Sequence, residues 1–200
     1  MPRVFLSYTH DSPEHRDEVR YFAERLVESG VDVCLDQWHL GGRQDWYVWA
    51  LAEIPAADFV LVVGSPRYRI AGDGQAAAED NRGLQAEAAI LRDLLQHDRG
   101  VWTGKILPVL LPGHEPDEIP LFLQPLGADH YRVGYDAEGM EDLLRVLLGQ
   151  PPYIRPELGR RPVLPARSTP RVGERGRVYN SIRGTVNGTV IQAGGDVHLG

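Results

Sequence analysis

The stretch that decides the fold of this chain is FVLVVGS, residues 59–65. Its first five residues are apolar without polar alternation, and Asp58 and Gly64 bound them. A short run rich in Val is typical of a strand that is buried on both faces. Because burial on both faces requires helices above and below the sheet, the stretch predicts a parallel sheet in an α/β domain.

Strand and helix patterns alternate outward from this stretch through residues 1–150. Strands are predicted at residues 3–8, 31–35, 58–63, 105–111 and 130–133, and helices at 13–29, 45–54, 83–97, 117–123 and 138–148. This alternation predicts a flavodoxin-like fold, in which a five-stranded parallel sheet carries helices on both faces. The segment 66–81 is rich in Gly, Ala and Asp and is predicted to be a long loop.

Composition limits the class of protein. A hydrophobic content of 42% is ordinary for a globular chain. The single cysteine, Cys34, excludes an internal disulfide, and its apolar surroundings predict a core position rather than a nucleophile. No apolar run approaches the ~20 residues that span a bilayer, and no signal peptide precedes the first strand, so we expect a cytoplasmic protein without membrane contacts.

Charge separates the domain from the segment that comes after it. The net charge is −7, yet seven arginines face only two glutamates between residues 155 and 177. The acidic remainder argues against nucleic acid as a ligand. Because residues 151–178 are Pro-rich and unperiodic, they are predicted to form a disordered linker, although a weak phosphate- or membrane-contacting arm stays open.

The tail, residues 179–200, has a β-prone composition and repeats Gly-Thr-Val at 184–186 and 188–190. The intervening Asn187-Gly188 pair is a strong turn signal and predicts a hairpin. An isolated hairpin is marginal in water, so its arms need the domain or other copies of the tail as partner. Few charges and no proline favour stacked cross-β self-assembly, with a docked hairpin and disorder left open.

Candidate site residues follow the predicted strands at their carboxyl ends, where open parallel sheets bind ligands. They are Tyr8, Thr9, His10, Asp36, Trp38, Ser65, Arg67 and Glu87. An aromatic ring among them could stack on a base, and a cationic side chain could contact phosphate. Trp46 and Trp49 are interpreted as packing or assembly surface. No phosphate-binding loop and no zinc spacing is present, so neither a metal nor a bound cofactor is expected.

Several of these segments together resemble a known family. The opening box VFLSYTHDS at residues 4–12 is similar to the start of SEFIR domains, a branch of the TIR superfamily. VCLD at 33–36 and ADFVLVV at 57–63 continue the resemblance in register, which covers about residues 3–150. Independently, VIQAG at 190–194 resembles bacterial amyloid-signalling (RHIM-like) motifs. The resulting division is a domain at 1–150, a linker at 151–178 and an assembly motif at 179–200.

The resemblance implies two alternative functions, because the family includes both NAD-cleaving enzymes and scaffolds. The first is an NAD+ nucleosidase effector of bacterial antiphage defence that assembly activates, with NAD+ as substrate. The second is a non-enzymatic homotypic adaptor, whose partners would be other copies or a receptor with a matching terminal motif. Glu87 matches the position of the catalytic glutamate of NAD-cleaving TIR domains, with Glu79, Asp80 and Glu53 as competitors.

The chemistry of NAD+ cleavage explains why a carboxylate is sought. Loss of nicotinamide passes through an oxocarbenium-like transition state, which a carboxylate beneath the ribose would stabilise. Nicotinamide leaves as a neutral base, so no general acid is required.

Overall fold

The computed structural model of the chain describes residues 1–39, 41–124, 126–166, 181 and 183–188. Two units are distinguished, Met1–Arg155 and Pro156–Gly200. In the second unit, residues 156–166 are exposed and form neither helix nor strand. Most of the predicted assembly motif, including its VIQAG core, lies outside the described residues, so self-assembly stays a prediction.

Five parallel strands form the sheet of the first unit. They are β1 (Arg3–Ser7), β2 (Asp32–Cys34), β3 (Phe59–Val63), β4 (Ile106–Leu110) and β5 (Tyr131–Arg132). Their spatial order is β2-β1-β3-β4-β5, and every neighbouring pair is parallel. This is the flavodoxin-like order, so the predicted fold class is confirmed.

Helices cover both faces of this sheet. They are α1 (Pro13–Glu28), α2 (Trp46–Ala56), α3 (Pro66–Gly72), α4 (Arg82–His97), α5 (Arg99–Lys105) and α6 (Glu141–Leu147). Short 3-10 turns occur at Asp36–Trp38, Pro116–Glu118 and Leu121–Leu123. Among the described residues, no helix is both long and apolar enough to cross a membrane.

The central strand β3 separates two hydrophobic cores. Leu61 and Val63 pack into the core under α1 and α6, whereas Val60 and Val62 pack into the core under α2 to α5. All four side chains are completely buried. Full burial of such a side chain is worth about 1.5–3 kcal/mol, so β3 anchors the domain from both sides.

The predicted loop at 66–81 begins instead with a helix, α3. The Ser65 hydroxyl accepts a hydrogen bond from the backbone N–H of Tyr68 at 3.1 Å, and Pro66 occupies the first helical position. Ser as N-cap followed by Pro is a strong start signal, and here it outweighs the Gly- and Asp-rich composition further along. Helix α5, which was also not predicted from the sequence, begins at another cap, Asp98.

These helices bring distant segments to the carboxyl edge of the sheet. Ser7, the last residue of β1, pairs in register with Val62 of β3. Glu87 lies in the second turn of α4, and Tyr68 lies in the first turn of α3. Since α3 and α4 pack on the same side of the sheet, both side chains approach the end of β1.

Candidate functional site

A cavity of about 380 Å³ opens at the carboxyl edge of the sheet. The segments after β1 and β2, the first turns of α1 and α2, and the start of α4 form its wall. The lining residues are Tyr8, Thr9, His10, Arg16, Asp36, Gln37, Trp46, Trp49, Asn81, Gly83, Leu84 and Glu87. The cavity therefore brings together five of the eight predicted site residues, including the carboxylate of Glu87.

Glu87 is held in place by two buried hydroxyl groups. The Ser7 hydroxyl donates to Glu87 Oε2 at 2.6 Å, and the oxygens of Ser7 and Tyr68 are 2.8 Å apart. Because the single hydrogen of Ser7 points to the carboxylate, the Tyr68 hydroxyl donates to Ser7. Tyr68 is completely buried, so this chain of hydrogen bonds fixes the orientation of the carboxylate from beneath.

The protonation of Glu87 is unusual for a glutamate. Burial raises its pKa to about 7, the Ser7 hydrogen bond lowers it, and the negative charge of Asp36 raises it. None of the ion pairs among the described residues involves Glu87. Both protonation states are therefore well populated at neutral pH. A perturbed carboxyl group in a cleft is a typical signature of a functional site.

Asp36 organises the other side of the cavity. It accepts hydrogen bonds from the Tyr8 hydroxyl at 2.8 Å and from His10 Nε2 at 3.1 Å. Gln37 donates to the Tyr8 hydroxyl at 2.9 Å. Burial alone would raise the pKa of Asp36, but the hydrogen bonds from His10 and Tyr8 lower it below its usual value. Asp36 is therefore a fixed negative charge on the wall.

Three predicted residues do not line this cavity. Trp38 is 42% exposed, in the 3-10 turn after β2. Ser65 is buried; its hydroxyl caps α3 and lies 2.7 Å from the Thr9 hydroxyl. The side chain of Arg67 faces an adjacent hollow of about 300 Å³, which shares only Asn81 with the cavity.

Seven cavity residues were not predicted as ligand contacts, and three of these carry aromatic or cationic side chains. Trp46 and Trp49 pack edge to face, with ring centroids 5.5 Å apart, and Trp49 also contacts the ring of Phe5. Trp49 thus packs against the core and lines the cavity at once. Arg16 reaches the cavity from the first turns of α1. Its position shortly after the predicted first-strand loop was the only sequence signal, and surface arginines share it.

The competing carboxylates lie elsewhere. Glu53 forms an ion pair with Arg3, at 2.5 Å, near the amino ends of the strands. Glu79 is exposed, and Asp80 lines the smaller hollow. Cys34 is buried in the core, as predicted, and burial raises the pKa of its thiol to about 12, which excludes a thiolate nucleophile at neutral pH.

Other hollows lack such chemistry. A wider one of about 760 Å³ lies between residues 129–132, α6 and the two prolines at 151–152. Another, of about 350 Å³, lies between α5 and the strands β4 and β5. Neither contains a predicted site residue. The cavity at Glu87 is therefore the candidate functional site.

The sheet order and the helices on both faces define an α/β domain of the TIR-like type. The family model of the SEFIR domain matches residues 2–138, and the chain belongs to this family of interaction and signalling domains. The crystal structure of a prokaryotic SEFIR domain is similar, with 25% identity and a TM-score of 0.56, over 80% of this chain and 100% of that chain.

A more distant similarity is to the IL-17 receptor B SEFIR domain. Its identity is 16% and its TM-score 0.48, over 73% of this chain and 96% of that chain. Comparison with curated proteins gives no significant match.

Proposed function

We propose that the domain cleaves the nicotinamide–ribose bond of NAD+ and that Glu87 is its catalytic carboxylate. The observation that carries this proposal is the surroundings of Glu87: a carboxylate that forms no ion pair with any residue the structure describes, oriented by Ser7 and Tyr68, on the wall of a cavity. Glu87 is also the residue that the resemblance to NAD-cleaving TIR domains singles out.

The proposed reaction needs one carboxylate and one water molecule. The bond between the ribose C1′ and the nicotinamide nitrogen breaks, and its electron pair leaves with nicotinamide. The ionised Glu87 stabilises the positive charge that develops on the ribose, as carboxylates do in glycosidases. Water then adds to C1′ and releases a proton, so the products are nicotinamide, ADP-ribose and H+.

The cavity suits the nicotinamide half of the substrate. At about 380 Å³ it is near the lower end of the range of ligand pockets, which run from about 300 to 1,000 Å³. Asp36 offers a negative charge to the cationic nicotinamide ring, and Trp46 and Trp49 offer aromatic surface. Arg16 is the cation available for the pyrophosphate.

The adenosine half would extend into the neighbouring hollow. That hollow begins at Asn81, which it shares with the cavity, and Arg67 lies on its wall. The predicted contact of Arg67 with a phosphate is retained in this arrangement, whereas Ser65 acts through α3 rather than by touching substrate. Trp38 has no assigned contact.

Nicotinamide release from NAD+ is the direct test. We expect activity with the full chain at high protein concentration and a loss of about 100-fold or more in Glu87→Gln, the size typical for removal of an electrostatic stabiliser. Glu79→Gln is the matched control, because Glu79 is exposed and was a competing candidate. Unaltered NAD+ with concentrated wild type, or full activity in Glu87→Gln, would contradict the proposal.

Assembly through residues 179–200 is proposed as the switch that activates this effector in bacterial immunity. The repeated Gly-Thr-Val units and the scarcity of charge support it. In the full chain, Val190→Pro removes a backbone donor and should abolish both thioflavin-positive assemblies and activity. Val163→Pro, in the exposed segment before residue 167, is the control. Assemblies that persist in Val190→Pro would count against the switch.

A second candidate function is a homotypic adaptor without chemistry. The observation in its favour is an exposed apolar surface on α2, formed by Tyr47, Val48 and Leu51. Exposed apolar patches mark interaction sites, and membership of the SEFIR family points to another SEFIR domain as the occupant.

Sedimentation velocity distinguishes the two functions. Val48→Asp should abolish association of the domain if α2 is the contact, whereas Val27→Asp, at an exposed valine of α1, should leave it unchanged. Association that depends on Val48, without any loss of NAD+ in the assembled protein, would favour the adaptor over the enzyme.

A further inference from the structure

A second group of side chains with metal-binding chemistry lies beside the candidate site. It consists of His15, Glu18 and His114, and one ligand atom from each lies within 4.8 Å of the other two. Helix α1 supplies His15 and Glu18, which at a spacing of three share one face of the helix. The turn after β4 supplies His114, so the group joins two segments that are far apart in sequence.

His15 is the unusual member of this group. The residue is only 5% exposed, and neither ring nitrogen has a hydrogen-bond partner among the residues that the structure describes. Buried polar atoms are nearly always paired in folded proteins, so an unpaired buried imidazole indicates a missing partner.

His114 is oriented in the way that metal ligands are. Its Nδ1 forms a hydrogen bond with the carboxylate of Glu118. Metal-ligating histidines typically donate their second ring nitrogen to a carboxylate, which fixes the tautomer and makes the free nitrogen more basic. The arrangement leaves Nε2 of His114 with a lone pair, and the centroids of the His114 and His15 rings are 5.2 Å apart.

We propose that His15, His114 and Glu18 bind a divalent transition-metal ion, best matched by Zn2+, with Glu118 orienting His114. Two imidazoles and one carboxylate are an established three-ligand set for zinc, which keeps a fourth position open. Bonds of about 2.0–2.2 Å place the ligand atoms of a tetrahedral ion about 3.4 Å apart. The ligand atoms must therefore approach one another by at most about 1.4 Å, and the exposed side chain of Glu18 can close its own two distances by rotation.

The ion would tie α1 to the turn after β4. It would adjoin the proposed NAD+ cavity without belonging to it, because none of its ligands lines that cavity. The ring of Tyr8, which does line the cavity, lies 6.5 Å from the ring of His15. The proposal does not depend on NAD+ cleavage, and its test does not use that reaction.

The test uses the untagged full chain, freed of metal with a chelator and titrated with zinc chloride by calorimetry. We expect one ion per chain, a rise in melting temperature, and visible absorption of the Co2+ form that reports nitrogen and oxygen ligands. His15→Ala and His114→Ala should each abolish binding. Glu118→Gln should weaken it about 10- to 100-fold, as loss of an orienting carboxylate does.

Two further variants keep the outcome clear. Glu18→Gln changes an exposed side chain, so it should weaken zinc binding even if His15→Ala fails to fold. His97→Ala, at an exposed histidine near the end of α4, should bind zinc like the wild type. Absence of stoichiometric binding in the wild type, unchanged affinity in Glu18→Gln and Glu118→Gln, or an equal loss in His97→Ala would overturn the proposal.

Discussion

Two glutamates at opposite ends of the strands, at the amino edge and the carboxyl edge of the sheet, have opposite electrostatic surroundings. Glu53 and Glu87 both lie on helices that pack against the same face, on α2 and α4. At the amino edge, Glu53 pairs with the guanidinium of Arg3 at 2.5 Å. At the carboxyl edge, the side-chain partner of Glu87 within the described part of the chain is the neutral hydroxyl of Ser7, and burial raises its pKa to about 7. A carboxylate that is already neutralised serves structure, whereas one without a counter-charge can stabilise a cation in a ligand.

The largest expected contrast is catalytic. If the carboxyl edge carries the reaction, Glu87→Gln lowers nicotinamide release about 100-fold or more, since it removes the group that faces the developing positive charge. Glu53→Gln, the same substitution at the amino edge, should keep activity within about twofold. Initial rates at saturating NAD+ and equal protein concentration measure both. Equal losses in the two variants would remove the distinction between the edges.

The next contrast is in pH dependence. Only the ionised carboxylate of Glu87 stabilises the ribosyl cation, so activity should rise as pH rises through about 7. Between pH 6 and pH 8 the ionised fraction grows from about 10% to about 90%, which predicts roughly a tenfold increase in rate. A pH–rate profile of the wild type, with folding verified by circular dichroism at each pH, measures this. A flat profile would contradict the assignment.

The two glutamates should also affect stability with opposite signs. The pKa of Glu87 is higher in the folded than in the unfolded protein. Protonated Glu87 therefore contributes fully to the free energy of unfolding below its unfolded-state pKa, and this contribution is lost as pH rises through 7. Glu87→Gln should therefore gain on the order of 2 kcal/mol relative to wild type on going from pH 5 to pH 8, with water in the cavity moderating the effect. Glu53→Gln should lose up to about 1 kcal/mol through its partly exposed ion pair. Urea unfolding at pH 5 and pH 8 measures the free energy of unfolding of both variants and the wild type. A change of the same sign in the two variants would count against the contrast.

The smallest expected effect concerns Ser7. Its hydrogen bond lowers the pKa of Glu87, so Ser7→Ala should raise that pKa further and move the pH–rate profile upward by about half a unit to one unit. At pH 7 the rate would fall about threefold. Ser12→Ala, which removes the N-cap of α1, is the control, because it should lower stability and leave the profile in place.

The sheet can be predicted from the sequence because the patterns that indicate strands and helices are local. The apolar run at 59–63 predicts a strand that is buried on both faces, and the alternation of strands with helices predicts the flavodoxin-like order of the strands. The sequence predicts Glu87 at the carboxyl edge of the sheet, and Glu87 lies there because α4, the second helix after β3, begins at that edge. The contacts that orient Glu87 cannot be predicted from local patterns. The composition of 66–81 predicts a loop at Tyr68, whereas the N-cap formed by Ser65 makes this segment start as helix α3.

Other site features depend on tertiary contacts that no spacing rule contains. The orientation of Trp46 toward the cavity follows from the packing of α2 on Phe5 through Trp49. A pattern search for zinc ligands examines short intervals, whereas His15 and His114 meet only because β1 and β4 end at the same edge of the sheet. The sequence can thus nominate an edge, and only the fold selects which side chains share a cavity there.

The perpendicular pair formed by Trp46 and Trp49 provides an intrinsic fluorescence signal at the cavity. The chain contains four tryptophans, and two of them form part of the wall that a bound nucleotide would touch. The wavelength or intensity of their fluorescence emission should therefore change when a nucleotide binds in the cavity, without an added label. Replacing Trp102, which lies on α5 away from this wall, with phenylalanine would remove background light and leave that signal intact.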